Sequence, residues 1–139
     1  MLLITACTAT RGENGNMLVY AAPTWGCCTD WIGYLEDNGF SLTVEETLDV
    51  NKIKTELNIP EELYSCHTAI VNGYIIEGHV PAVEIIRLLE EKPDVKGIAV
   101  AGMPPGSPGM DIQGFENDPY DVVLFSVNGE TELFASYPE

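Results

Sequence analysis

Basic residues are scarce in this chain. Six Lys and Arg stand against 22 Asp and Glu, giving a net charge of -16 and an isoelectric point near 4.1. Binding nucleic acid requires cations that neutralise phosphates, so this balance argues against a DNA or RNA partner. The same charge repels anionic lipid surfaces and attracts cations. Long apolar runs are missing too: none approaches the roughly 20 residues that span a bilayer, so no transmembrane helix is expected. There is no Cys-x-x-Cys, no Ser-His-Asp order, no phosphate-binding glycine loop and no His-Glu-x-x-His, which removes the commonest nucleophilic, nucleotide and zinc-protease readings. What remains is 139 residues with 45% hydrophobic content, enough for one domain with a core.

The amino terminus stands apart. Leu2-Leu3-Ile4-Thr5-Ala6-Cys7 is apolar and ends in small residues, like the end of an export signal. Ile4-Thr5-Ala6-Cys7 resembles the bacterial lipobox, whose cysteine is lipidated after cleavage. The charged and longer apolar parts of such a signal are absent, so the reading requires a start upstream of Met1. It makes the protein a periplasmic or cell-envelope lipoprotein anchored at Cys7. Thr8 to Asn16 has no periodicity and reads as a linker. Residues 1–16 are therefore signal remnant and linker, expected to be disordered, and 17–139 the domain.

Within the domain, Met17 to Ala21 is a short apolar run stopped by Pro23, as in a buried strand. A helix is predicted from Gly26 to Asn38, with Cys28, Ile32 and Leu35 at helical spacing and Asn38-Gly39 as its stop. Phe40 to Val44 alternates as a second strand, and Asp49 caps a short helix that Pro60 ends. Thr68 to Val71 and Tyr74 to Glu77 flank Asn72-Gly73, a strong hairpin signal. Pro81 opens a third helix whose apolar face carries Ala82, Ile85, Ile86 and Leu89. The order β-α-β-α-β-β-α is that of a thioredoxin-like α/β fold, with the first two strands parallel. A carboxy-terminal extension follows: a strand near Gly97, a Gly/Pro/Met-rich loop, and a final hairpin turning at Asn128-Gly129.

Cys27-Cys28 falls where the first strand gives way to the first helix, the place where the positive end of a helix favours thiolate. Adjacent cysteines close a disulfide only through a strained ring, so the pair suits a soft metal better than an internal redox cycle. Cys66-His67 precedes the hairpin, at a junction that the fold brings near that helix start. Three cysteines and a histidine form a soft-metal set, which zinc would also accept. Met103 and Met110 bracket a Pro-rich loop and offer thioethers, donors that prefer copper(I) to hard cations. Taken singly, Cys28 also reads as a core thiol and the methionines as packing residues, while His79 before Pro81 reads as a structural residue bonded to backbone.

Several segments together resemble one family, the CopG-type proteins of bacterial copper resistance. They are Pro23-Thr24-Trp25-Gly26-Cys27-Cys28, Asn38-Gly39-Phe40, Ser65-Cys66-His67-Thr68-Ala69, Gly73 through Ala82, Gly102-Met103-Pro104, Gly106-Ser107-Pro108-Gly109-Met110 and Asp118-Pro119-Tyr120-Asp121-Val122. The resemblance implies a thioredoxin-like, exported protein that binds copper(I) through a Cys-x-Cys-Cys motif and a Cys-His motif. Carried over, the ligands are Cys27, Cys28 and Cys66, with His67 as the motif's partner. Trp25 stands where the family has its first cysteine, so one thiolate is missing.

The leading expectation is an exported copper(I)-binding protein of copper homeostasis whose partners are copper ions and other envelope copper-handling proteins. The alternative is an envelope thiol-disulfide oxidoreductase pairing Cys27 or Cys28 with Cys66. A third reading is a degenerate domain kept as an interaction module.

Overall fold

The computed structural model describes residues 14–23, 26–111, 114 and 116–138, and of Cys27 the backbone alone. Strand β1 (Asn16–Ala21) buries Met17, Val19 and Ala21 with period two, the pattern that an apolar run in a pleated strand requires. It pairs in parallel with β2 (Ser41–Glu46) and antiparallel with β3 (His67–Val71). The connection from β1 to β2 is α1 (Gly26–Asp37), which turns Cys28, Trp31 and Leu35 inward. Asn14 donates its backbone N–H to Gly39 O at 3.0 Å, and Gly15 O accepts from Ser41 at 3.1 Å. The last residues of the expected linker are thus stitched to the turn after α1.

Helix α2 (Val50–Glu56) is capped by Asp49, whose carboxylate accepts from Lys52 N–H at 3.2 Å. It stops before Pro60, because Asn58 adopts φ 55° and a left-handed residue cannot continue a helix. Strands β3 and β4 (Tyr74–Glu77) form the hairpin, with φ of 48° at Asn72 and 82° at Gly73. Two such positive values define the tight turn that the strand twist favours. Helix α3 (Ala82–Glu91) follows Pro81 and buries Ala82, Ile85 and Leu88.

The extension continues the sheet itself. β5 (Gly97–Ala99) lies parallel to β4, β6 (Tyr120–Phe125) antiparallel to β5, and β7 (Thr131–Tyr137) antiparallel to β6. The seven strands run in the order β2-β1-β3-β4-β5-β6-β7. Consecutive residues divide between two cores: Ile76, Ile98 and Leu124 join the residues of α1 and α3, while Ile75, Ala99 and Phe125 meet Ile59 and Leu63 on the other face. The sheet therefore carries helices on both sides, in agreement with the expected thioredoxin-like order over β1 to α3. No helix among the described residues is long and apolar enough to cross a membrane.

Candidate metal centre

Two chain segments meet at the end of the sheet. Ala21 is the register partner of His67, so where β1 leaves for α1 it lies beside the residue that opens β3. Cys28 in the first turn of α1 consequently faces Cys66. Their sulfurs are 3.4 Å apart, with Cys28 donating, far beyond the roughly 2.05 Å of a disulfide bond. The ligand atoms of Cys28, Cys66 and His67 lie within 4.8 Å of one another, and all three residues are buried. Three of the six residues singled out from the sequence as ligands are thereby brought together.

Both neighbouring imidazoles are oriented by backbone carbonyls. Nε2 of His67 faces Gly78 O at 3.0 Å, and Nδ1 of His79 faces Pro108 O at 2.7 Å. A carbonyl only accepts, so each of these nitrogens carries its proton and leaves the other with a lone pair. The lone-pair atoms are Nδ1 of His67, 3.2 Å from Cys66 Sγ, and Nε2 of His79, 3.1 Å from it. Both ring nitrogens thus converge on the Cys66 sulfur. This hydrogen bonding of the remote ring nitrogen is the usual support of a metal-binding histidine.

Trp31 fixes the wall. Its indole N–H donates to Val80 O at 3.1 Å, and its ring lies 4.2 Å from that of His67 at 32°. The loop of residues 104–110 closes the other side through Gly109, with φ 82°, where an added Cβ would come 2.8 Å from Trp31 N and 3.1 Å from His79 Nδ1. Only glycine admits that approach.

Beneath the site runs a buried polar network. Lys54 of α2 donates to the carboxylate of Glu77, to Thr68 Oγ1 at 2.7 Å and to His67 O at 3.0 Å. Glu77 also accepts from Ser65 N–H at 2.8 Å and from Thr68 Oγ1 at 2.6 Å. The backbone on either side of Cys66 is therefore held by one ion pair. Burial raises the Glu77 carboxyl above its ordinary range against the pull of Lys54. Burial, then His79, then Lys54 keep the His67 imidazole well below its usual value, hence neutral as metal binding demands. The hydrogen bond with Cys28, and then burial, push the Cys66 thiol up to about 12.

The remaining expected ligands are placed less directly. Cys27 occupies the first turn of α1, with its side chain outside the described residues, as are Cys7 and Trp25. Met103 is exposed and follows Gly102, whose N–H donates to Tyr64 O at 3.1 Å and whose carbonyl accepts from Ser65 Oγ. Met110 is buried, and its backbone closes the loop on Ser107 at 2.8 Å. Sequence reasoning missed His79 as a member of the cluster; its backbone bond was expected, its second nitrogen's approach to Cys66 was not. Lys54 and Glu77 were missed as well, since nothing in the sequence tells Lys54 from the neighbouring Lys52 of the same short helix, and of the two only Lys54 is buried.

The fold and these residues define an α/β domain with a buried centre of soft ligands at the start of its first helix. Residues 63–110 match the family described as "Protein of unknown function, DUF411". Two solved structures, both described as copper resistance protein copG, in forms 1 and 2, are each 42% identical to this chain. They align with TM-scores of 0.83 and 0.84, covering 91% of this chain and 100% of theirs. No curated protein matches the chain. The chain belongs to the CopG-type copper-resistance family.

Proposed function

We propose that this protein is an exported copper(I)-binding protein of copper homeostasis, holding its metal at Cys27, Cys28, Cys66 and His67. The supporting observation is the meeting of the Cys28 and Cys66 thiols with one ring nitrogen each of His67 and His79 in one buried place. A soft cation that displaces the thiol protons satisfies the whole set. Zinc would accept the same donors; copper is favoured by the solved relatives described as copper resistance proteins. Met103 and Met110 are proposed as outer thioethers of the loop beside the site. Periplasmic or envelope location, with lipidation at Cys7, completes the reading, as do copper-handling partners in the same compartment.

The test is metal analysis of protein purified without chelator, followed by anaerobic copper(I) titration. Cys66→Ser should lower copper(I) affinity far more than Cys7→Ser, and Met103→Leu or Met110→Leu should have intermediate effects. Equal losses from Cys7→Ser and Cys66→Ser would overturn the ligand set.

One observation favours a second reading. The 3.4 Å between Cys28 and Cys66 is close enough for side-chain rotation to form a disulfide, with loss of two protons and two electrons to an oxidant. Insulin reduction by metal-free protein, abolished in Cys28→Ser, would support thiol-disulfide exchange.

A further inference from the structure

Cys66 is only 5% exposed, yet it lines a cleft of about 240 Å³ together with Ala22, Leu48, Asp49, Val50, Asn51 and Ser65. Of the two cysteines and two histidines clustered at the site among the described residues, Cys66 is the one that lines this cleft. The wall opposite it is the β2–α2 turn, and there Leu48 is 92% exposed. Leu48 thus stands clear of the core beside a cleft that reaches Cys66.

We propose that this cleft is the port through which copper(I), carried by one or two small donor groups, reaches and leaves Cys66. Its size selects the cargo. Pockets for drug-sized molecules run from about 300 to 1,000 Å³, so this smaller cleft suits a metal ion with a thiol, thioether or nitrile ligand better than a bulky chelate. Its charge selects as well. Asp49 lines it, on a chain whose net charge is -16. Cationic and neutral copper complexes are thereby favoured over anionic ones. Leu48 offers the apolar contact that a cysteine or methionine side chain of a donor would use.

The copper arm of the test rests on the function proposed above; the alkylation arm does not. Leu48→Trp and the double variant Leu48→Trp/Asn51→Trp place bulk at the mouth, on side chains that are exposed, so folding is spared. Val83→Trp is the control: it is 60% exposed and lines a separate cleft of about 540 Å³, beside Tyr34, Tyr120 and Tyr137. In stopped-flow loading with the copper(I)–acetonitrile complex, the mouth variants should load and release copper several-fold more slowly. Their equilibrium affinity should be unchanged, because a narrowed route slows both directions alike. In metal-free full-length protein, iodoacetamide labelling of Cys66, read by peptide mass spectrometry, should slow in the same variants and not in Val83→Trp. Unchanged rates in the double variant, equal slowing in Val83→Trp, or a fall in affinity that accounts for the slower loading would each overturn the port. If wild-type protein binds no copper(I), the functional reading fails, and the labelling rates still decide whether the cleft leads to Cys66.

Discussion

Lys54 and Glu77 form an ion pair with no exposure to solvent, directly beneath the Cys66-His67 step. Taking two charges out of water costs several kcal/mol per ion, so such a pair is a weak source of stability. Its geometry says what it does: Glu77 holds Ser65 N–H, and Lys54 holds His67 O. Cys66 sits between these two anchors.

Removing one partner should therefore be costly. Lys54→Met leaves the Glu77 carboxylate buried and unpaired, with an expected loss of about 3–5 kcal/mol. The double change Lys54→Met/Glu77→Leu should recover much of that, yet leave the backbone beside Cys66 without its anchors. Urea unfolding and copper(I) competition on the same proteins would separate the effects. We expect the double variant to fold with weakened copper binding. Full affinity in the folded double variant would show that the ion pair does not position the ligand.

His79 should matter as much as the residues of the Cys-His motif. His79→Phe keeps an aromatic ring against His67 and removes both the nitrogen facing Cys66 and the N–H bonded to Pro108. Copper(I) affinity should fall about 10- to 100-fold, the usual range for loss of an orienting or ligating histidine contact. Competition with a chromophoric copper(I) chelator measures this directly, and wild-type affinity in the variant would exclude His79 from the centre.

Local rules made most of the fold legible. Asn72-Gly73 dictated a turn by its φ values, Asp49 a helix start by its carboxylate, and the alternation Met17, Val19, Ala21 a half-buried strand. The helix end at Asn58 was missed because Pro60, a stronger-looking stop, lies two residues later and the left-handed Asn acts first. Cys28 and Cys66 could be placed together because strand order fixes which loop ends meet. Lys54, Glu77 and His79 could not, because their roles arise from side-chain contacts that the strand order alone does not specify, Lys54 with Glu77 and His79 with Pro108. No periodicity marks a charged residue that a sheet will cover. His79 was legible as a backbone-bonded residue, and only the path of the loop carrying Pro108 shows where its other nitrogen points.

Tyr120 gives the fold a measurable alkaline limit. Burial, then Tyr34 and Glu84, push its phenol up to about 12, and its ring stacks on Tyr137 at 5.2 Å. The phenol ionises later in the fold than in the unfolded chain, where 10.0 is the ordinary value. Its contribution to stability is therefore complete below pH 10 and is lost as the pH climbs toward about 12. Urea midpoints on either side of this window should fall more for wild type than for Tyr120→Phe. The phenol absorbance titration should lose one late-ionising tyrosine in that variant. Parallel curves for the two proteins would contradict the shift.

Trp25 should limit the metal capacity of the centre. The family pattern implies a thiolate at this position, two residues before Cys27, whereas an indole donates one N–H and offers a metal no strong ligand. Thiolates bridge copper(I) ions readily, so each lost cysteine removes a bridging corner as well as a terminal donor. The wild-type chain should bind fewer copper(I) ions per molecule than a relative with the full Cys-x-Cys-Cys motif, and Trp25→Cys should raise that number. Anaerobic titration followed by metal analysis reads the stoichiometry, and a thermal unfolding curve on the same sample shows whether the variant keeps its fold. If Trp25→Cys unfolds cooperatively near the wild-type temperature and takes up no further copper(I), the fourth thiolate is not what limits the centre. Cys27, Cys28, Cys66, His67 and His79 would then have to set its capacity by themselves.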